Sequence, residues 1–180
     1  MSGTDEALAA KARSGDRPAL QRLLERHHDT AFRFSYRLLG SSADAQDVAQ
    51  EVLIRLVERI ATFRGDSRFS TWLYQMVLNA CRDHRRRQGR VQAMEQGYAL
   101  FHAHDQANWA DSDARLRWLY LALDRLKPDL KETALLILAE EVTQEHAATI
   151  LGISAGTVAW RMSEVKKRLR AMADHDDERV

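Results

Sequence analysis

Apolar residues recur at helical spacing along most of the chain, and no β-hairpin signal or internal repeat interrupts that pattern. Thr4 can cap a first helix that stops near Gly15. Asp16-Arg17-Pro18 opens a second, with proline near its first position, which continues through Phe32, Tyr36 and Leu39 to Gly40. Ser41 or Ser42 begins a long helix in which Val48, Val52, Leu53, Leu56, Val57 and Ile60 make one apolar stripe. Asp44, Asp47 and Glu51 line up on another face of it. Residues 64–68 read as a turn, and Ser70 as the cap of a helix carrying Trp72, Leu73, Met76, Val77 and Ala80 before an arginine cluster. Val91 to Asp113 keeps no period and reads as a linker, partly or wholly disordered. Helical spacing resumes with Leu116, Leu119, Tyr120, Leu123 and Leu126, and Pro128 starts a further helix through Leu138. Two short helices then meet at Gly152, and the acidic tail after residue 173 reads as frayed. The pattern predicts an all-α protein of two small helical domains joined by a flexible linker.

Composition narrows the class. The 180 residues are 45% hydrophobic and 29% charged, ordinary for a globular protein, and two prolines with eight glycines favour long helices. The single cysteine, Cys81, cannot close an intramolecular disulfide, which suits a reducing compartment. No apolar run approaches the ~20 residues a bilayer requires. The first residues carry neither a basic n-region nor an apolar core, so no secretory leader and no membrane insertion are expected, and a cytoplasmic location is.

Net charge is only +1, but its distribution is uneven. Arg82 to Arg90 holds five arginines against one aspartate, and Ser154 to Arg170 five basic residues against one glutamate. Val91 to Asp113 between them has four acidic residues and no lysine or arginine. Two basic stretches separated by an acidic one suggest two contact points on a polyanion.

The second stretch lies in a helix-turn-helix, the usual device for placing a helix in the DNA major groove. Val158, Met162, Val165 and Leu169 recur as a buried stripe, and Thr157, Trp160, Arg161, Glu164 and Arg168 follow the same spacing on the opposite face. Arg161 can bind guanine in a bidentate fashion, and Thr157 can meet a base edge or thymine methyl. Lys166, Lys167 and Arg170 suit phosphate. The bland alternative is an amphipathic bundle helix with a solvated charged face, and Trp160 can equally be an aromatic packed by a neighbour.

In the first half, Arg68-Phe69-Ser70-Thr71-Trp72-Leu73-Tyr74, followed by Asn79, Arg82, Asp83, Arg85, Arg86 and Arg87, mixes aromatics with cations. That mixture suits single-stranded nucleic acid, where bases stack on rings and cations follow the backbone. Equally, Phe69 and Trp72 can be core residues and the arginines a solvated helix end. The acidic face of Asp44, Asp47 and Glu51 is either solvated or meets a basic protein partner.

Three blocks carry a resemblance: Asp44-Ala-Gln-Asp47-Val-Ala-Gln50-Glu51-Val-Leu-Ile-Arg55-Leu, Phe63-Arg-Gly-Asp66-Ser-Arg-Phe69-Ser-Thr-Trp72-Leu-Tyr, and Leu151-Gly-Ile-Ser-Ala-Gly-Thr157-Val. In this order they resemble an extracytoplasmic-function (ECF, group IV) sigma factor of bacterial RNA polymerase. The resemblance implies a region 2 domain over residues 1–90, a linker over 91–112, a region 4 helix-turn-helix domain over 113–173 and a tail over 174–180. It assigns Asp44, Asp47, Gln50, Glu51 and Arg55 to binding the β′ clamp of core polymerase, with the β flap as a further core contact. It assigns Arg64, Asp66, Ser67, Arg68, Phe69, Trp72, Asn79, Arg82, Asp83 and Arg86 to opening and capturing the −10 element. It assigns Ser154, Thr157, Trp160, Arg161, Glu164, Lys167 and Arg168 to the −35 duplex. The linker would thread the polymerase cleft and RNA exit channel, and an anti-sigma factor would hold the protein inactive. The sequence departs from the family at Ala147, commonly isoleucine, and at Ala159-Trp160, commonly small polar or basic.

Cys81-Arg-Asp-His84, His27-His28 and His102-Ala-His104 lack a second ligand pair at a structural-zinc spacing, so no metal is expected. No phosphate-cradling glycine loop or nucleophile elbow occurs, so neither a cofactor nor catalysis is expected. A stand-alone helix-turn-helix regulator and a sigma-like interaction protein are the alternatives. The first half discriminates, because a plain duplex binder needs neither an acidic helix face nor an aromatic loop.

Overall fold

The computed structural model describes residues 4–94 and 114–177. Contacts divide the chain into two compact units, 1–105 and 106–180. Among the described residues every regular element is helical.

The first unit contains α1 (Asp5–Arg13), α2 (Arg17–Leu39), α3 (Ser42–Arg59), a 3₁₀ turn (Ile60–Thr62) and α4 (Phe69–Met94). Local chemistry fixes most of these boundaries. The Ala7 amide donates to Thr4 Oγ1, that of Ala19 to Asp16 Oδ1 and that of Asp44 to Ser41 Oγ, at 3.2, 3.0 and 3.3 Å. Gly40 ends α2 in the left-handed region at φ 79°. Helix α2 is the central element, with α1, α3 and α4 packed around it. Its buried side is Ala19, Leu23, His27, Ala31, Phe34, Ser35 and Leu38. Opposite lie Val48, Val52 and Leu56 of α3 and Leu73, Val77 and Leu78 of α4, all removed from solvent. Ala45 and Ala49 are buried with them, so α3 approaches its neighbours closely.

Several expectations need correction. Helix α4 begins at Phe69, so Ser70 lies inside its first turn instead of capping it. The helix then runs to Met94, past the point where the linker was expected to begin. Period is a weak guide there because the last turns carry charge and not an apolar stripe. The rest of the predicted linker lies outside the described residues. On α3, Val57 is exposed and Leu53 only half-buried; the apolar stripe turns with the true 3.6-residue period and leaves Val57 on its flank.

The second unit contains α5 (Ala114–Asp124), α6 (Pro128–Leu138), α7 (Gln144–Leu151) and α8 (Ala155–Asp177). The expected tail is therefore helical to residue 177. Helix α6 is enclosed: every residue from Leu130 to Leu136 is buried, with Lys131 Nζ on Asp124 Oδ1 at 2.7 Å. Helices α6 and α7 and the buried Val158, Met162 and Val165 of α8 form the core. Leu116, the first residue of the resumed helical spacing, is exposed on α5.

Gly152 joins α7 to α8 at φ 69° with open space where a Cβ would stand. A Gly152→Ala change therefore meets only backbone strain, about 1 kcal/mol. Calorimetry should show the second unit melting earlier and the first unchanged; an unshifted second transition would show that the turn tolerates a side chain.

Candidate nucleic-acid and protein interfaces

The segment 64–68 leaves the 3₁₀ turn and enters α4, and aromatic packing moors both of its ends. Phe63 and Phe69 are buried with ring centroids 5.7 Å apart, and half-buried Trp72 lies 5.2 Å from Phe63 and 5.9 Å from Phe69. Between these anchors Arg64, Asp66 and Arg68 are exposed and Ser67 half-buried, with Gly65 at φ 81° making the turn. Phe69 corrects the sequence reading: fully buried and also 5.0 Å from the His27 ring, it supports the loop from inside and offers no face to a base.

Trp72, Asn79, Arg82, Asp83 and Arg86 fall within one face of α4 by helical spacing. Asn79 and Arg86 are exposed, and the other three half-buried. Arg86 is in close contact with Asp83, and Arg55 Nη1 stands 3.9 Å from the same carboxylate. The hydrogen bond from Arg86, and then the charges of Arg86, Arg55 and Arg87, hold the Asp83 carboxyl below its ordinary range.

The acidic residues of α3 divide into two sets. Asp44 and Glu51 lie half-buried against α4, where Asp44 Oδ1 meets Gln88 Nε2 and His84 Nε2, each at 3.1 Å. Glu51 pairs with Arg55 one turn on and with Arg87 of α4 at 3.0 Å. Arg55 belongs to the same seam through Asp83. Asp47 and Gln50 instead face solvent. Beside them stand Ile54 and Val57, 60% and 46% exposed. Sequence reasoning missed Ile54 altogether. Its signal was an apolar residue one turn after Gln50 and two after Asp47, off the buried stripe.

In the second unit Thr143 Oγ1 accepts from the His146 amide at 3.4 Å and Ser154 Oγ from the Thr157 amide at 3.1 Å, so each helix of the pair is capped. Ser154 and Thr157 also join their hydroxyls at 2.9 Å. Trp160 is 62% exposed, and Lys167, two turns on, is exposed on the same face by helical spacing; Lys166 and Arg170 are exposed further round the helix. Glu164 accepts from Arg168 Nε at 2.7 Å, and this bond lowers the Glu164 carboxyl below its usual range.

Arg161 departs from its expected place opposite the buried stripe. Its side chain is 17% exposed and lies on α6, with Nη2 3.5 Å from Asp129 Oδ2. Nη1 donates to the Asp129 carbonyl at 3.4 Å and to Thr133 Oγ1 at 3.5 Å. It braces α8 to α6 instead of projecting from the pair. The apolar stripe alone could not show this, because position 161 borders the buried side next to Val158 and Met162. Among the described residues no three His, Cys, Asp or Glu side chains form a metal-holding group, and no helix is long and apolar enough to cross a membrane. His102 and His104 lie outside the described residues.

Two expectations follow. In a double-mutant cycle on unfolding of the second unit, Asp129→Ala and Arg161→Ala should couple by about 0.5–1 kcal/mol, modest because Asp129 is half-exposed. Zero coupling would leave Arg161 held to α6 only through the Asp129 carbonyl and Thr133 Oγ1. For Asp83 the folded-state pKa is depressed, so its stabilisation is full above the ordinary carboxylate range and is lost as pH falls through the depressed value. Urea unfolding across an acidic pH series should show a shallower acid-side decline for Asp83→Asn than for the parent; parallel curves would remove the pair from the stability balance.

Residues 23–91 match the Sigma-70 region 2 family. The chain is 31% identical over 166 residues to the ECF RNA polymerase sigma factor SigE of Mycolicibacterium smegmatis, covering 89% of this chain and 64% of that protein's length. It is 27% identical over 177 residues to the ECF RNA polymerase sigma-E factor of Escherichia coli K12, covering 92% of each. It is 26% identical over 176 residues to the RNA polymerase sigma-H factor of Pseudomonas aeruginosa, covering 92% of this chain and 91% of that one. Among solved structures, CnrH in complex with the cytosolic domain of CnrY aligns at TM-score 0.71 and 27% identity, over 96% of this chain and 98% of that one. The sigma factor RpoE of Bartonella quintana, solved with the anti-sigma factor NepR, shares the fold at TM-score 0.69 and 24% identity, over 86% of this chain and 96% of that one. The region 2 match falls on the unit that carries the moored loop, and the similarity to ECF sigma factors extends through the helix-turn-helix.

Proposed function

We propose that this chain is a group IV ECF sigma factor, which binds bacterial core RNA polymerase in the cytoplasm and confers promoter-specific initiation. The observation that carries the reading is in the first unit, where a solvent-facing strip of α3 and an aromatic-moored loop offer two different chemistries on separate elements. Asp47, Gln50, Ile54 and Val57 make a mixed acidic and apolar strip suited to a protein surface, which we assign to the β′ clamp. Asp44, Glu51 and Arg55 support that strip from the seam behind it.

The loop residues Arg64, Asp66, Ser67 and Arg68, with Trp72, Asn79, Arg82, Asp83 and Arg86 of α4, would take the −10 element as a separated strand. Exposed cations follow a backbone, and a half-buried indole offers a stacking edge. In the second unit Trp160, Thr157 and Lys167 would address the −35 duplex: Trp160 by apolar contact with a thymine methyl, Lys167 by phosphate. Ser154, Glu164 and Arg168 order that helix, and Arg161 fixes its seat on α6. The domain boundaries at 90 and 113, the path of the cation-free segment between them and the β-flap contact remain part of this proposal. Control by an anti-sigma protein belongs to it as well, supported by the solved complex of CnrH with the cytosolic domain of CnrY.

The test combines the purified chain with core polymerase and a pool of genomic fragments that core alone does not transcribe. Specific transcripts are expected. Asp47→Lys should weaken core binding by at least about tenfold through charge reversal while duplex binding by the full chain stays unchanged. Duplex binding with neither core binding nor transcripts would leave a stand-alone regulator.

A further inference from the structure

Helix α1 lies outside the residues that match region 2, and the faces described above use none of its side chains. Its polar groups nevertheless converge on one place. Arg13 Nη1 donates to the Phe63 carbonyl at 3.4 Å, where the chain leaves the 3₁₀ turn. Glu6 Oε1 accepts from the Phe69 backbone amide at 3.4 Å, where the chain enters α4. Asp5 holds His27 Nε2 at 3.0 Å, and that imidazole packs on the Phe69 ring. Leu8, Ala9 and Ala12 bury the apolar side of α1, so the three polar groups are carried on an anchored helix.

The two backbone contacts thus sit at opposite ends of the same five-residue loop, 64–68. The first amides of a helix lack an intrahelical acceptor, so a carboxylate at Phe69 satisfies one and complements the positive helix end. The exposed loop has little packing of its own, and its order depends on what holds its ends.

We propose that α1 is a clasp that sets the shape of loop 64–68 for capture of a separated DNA strand, with Glu6 and Arg13 as positioning residues. The inference rests on the reading of that loop as strand-binding. With both ends held, Arg64, Asp66 and Arg68 are presented along one backbone path. Releasing either end adds loop conformers that a strand must select against, which lowers apparent affinity by the fraction that is competent.

The full-length chain is titrated into fluorescein-labelled single-stranded DNA of random sequence, about 12 nucleotides long to exceed one binding site. Anisotropy gives affinity, and sequencing of the bound fraction gives base preference. Glu6→Ala and Arg13→Met should each weaken binding about three- to tenfold, the range of one hydrogen bond, and flatten the base preference. Arg13→Lys, which keeps a donor, should recover most of the loss. Melting temperature should stay at the parent value, because both side chains are exposed. Parent-like affinity and preference in Glu6→Ala and Arg13→Met, beside an Asp66→Ala chain that loses both, overturns the clasp and leaves the loop reading standing. An Asp66→Ala chain that binds like the parent overturns both. A loss that merely tracks a lowered melting temperature also overturns the clasp.

Discussion

Phe69 is fully buried, and the rings of His27, Phe63 and Trp72 stand 5.0, 5.7 and 5.9 Å from it. This packing decides where α4 can begin and how far the preceding loop can stray. Phe63 closes the other end of the loop in the same cluster, so the exposed residues between them are bounded by two buried aromatics. Trp72, one turn along α4, is half-covered by the cluster and half available. An exposed loop has little packing of its own, and here buried aromatic rings bound it at both ends. The polar groups of α1 then act on backbone atoms at the margins of that cluster.

The charges of the first unit are arranged by the same economy. An α3 face of carboxylates beside a run of arginines on α4 would attract along its whole length. The structure uses part of that attraction inside the unit, through Asp44 with Gln88 and His84, Glu51 with Arg87, and Arg55 with Asp83. Asp47 and Gln50 face solvent instead, with exposed Ile54 and Val57 beside them. Exposed pairs of this kind contribute little individually, so the seam matters mainly for orientation. It sets which carboxylates turn inward and ties the arginine-bearing part of α4 to α3.

The all-α architecture was legible in the sequence because caps and apolar period agreed: Thr4, Asp16, Ser41, Thr143 and Pro128 mark helix starts where expected. What was not legible depended on tertiary partners. Ser70 has the chemistry of a cap, yet the helix starts two residues earlier than such a cap would place it, at buried Phe69. Val57 has the polarity of a core residue but lies at an angle where nothing covers it. Arg161 has the chemistry of a base reader, and only the approach of Asp129 and Thr133 from α6 reveals a brace. The clasp of α1 was invisible for a related reason: its contacts join residues 50 and 63 positions apart, and two of the four atoms involved are backbone.

The division between Arg161 and Trp160 has an evolutionary consequence. Adjacent positions on one helix serve opposite ends, one inward-facing and constrained by α6, the other turned outward and 62% exposed. A paralogue could exchange the indole for another side chain and acquire a new target preference without disturbing how the helix is seated. Divergence of binding specificity within such a lineage would then concentrate at the outward neighbour, with the arginine as a fixed reference point.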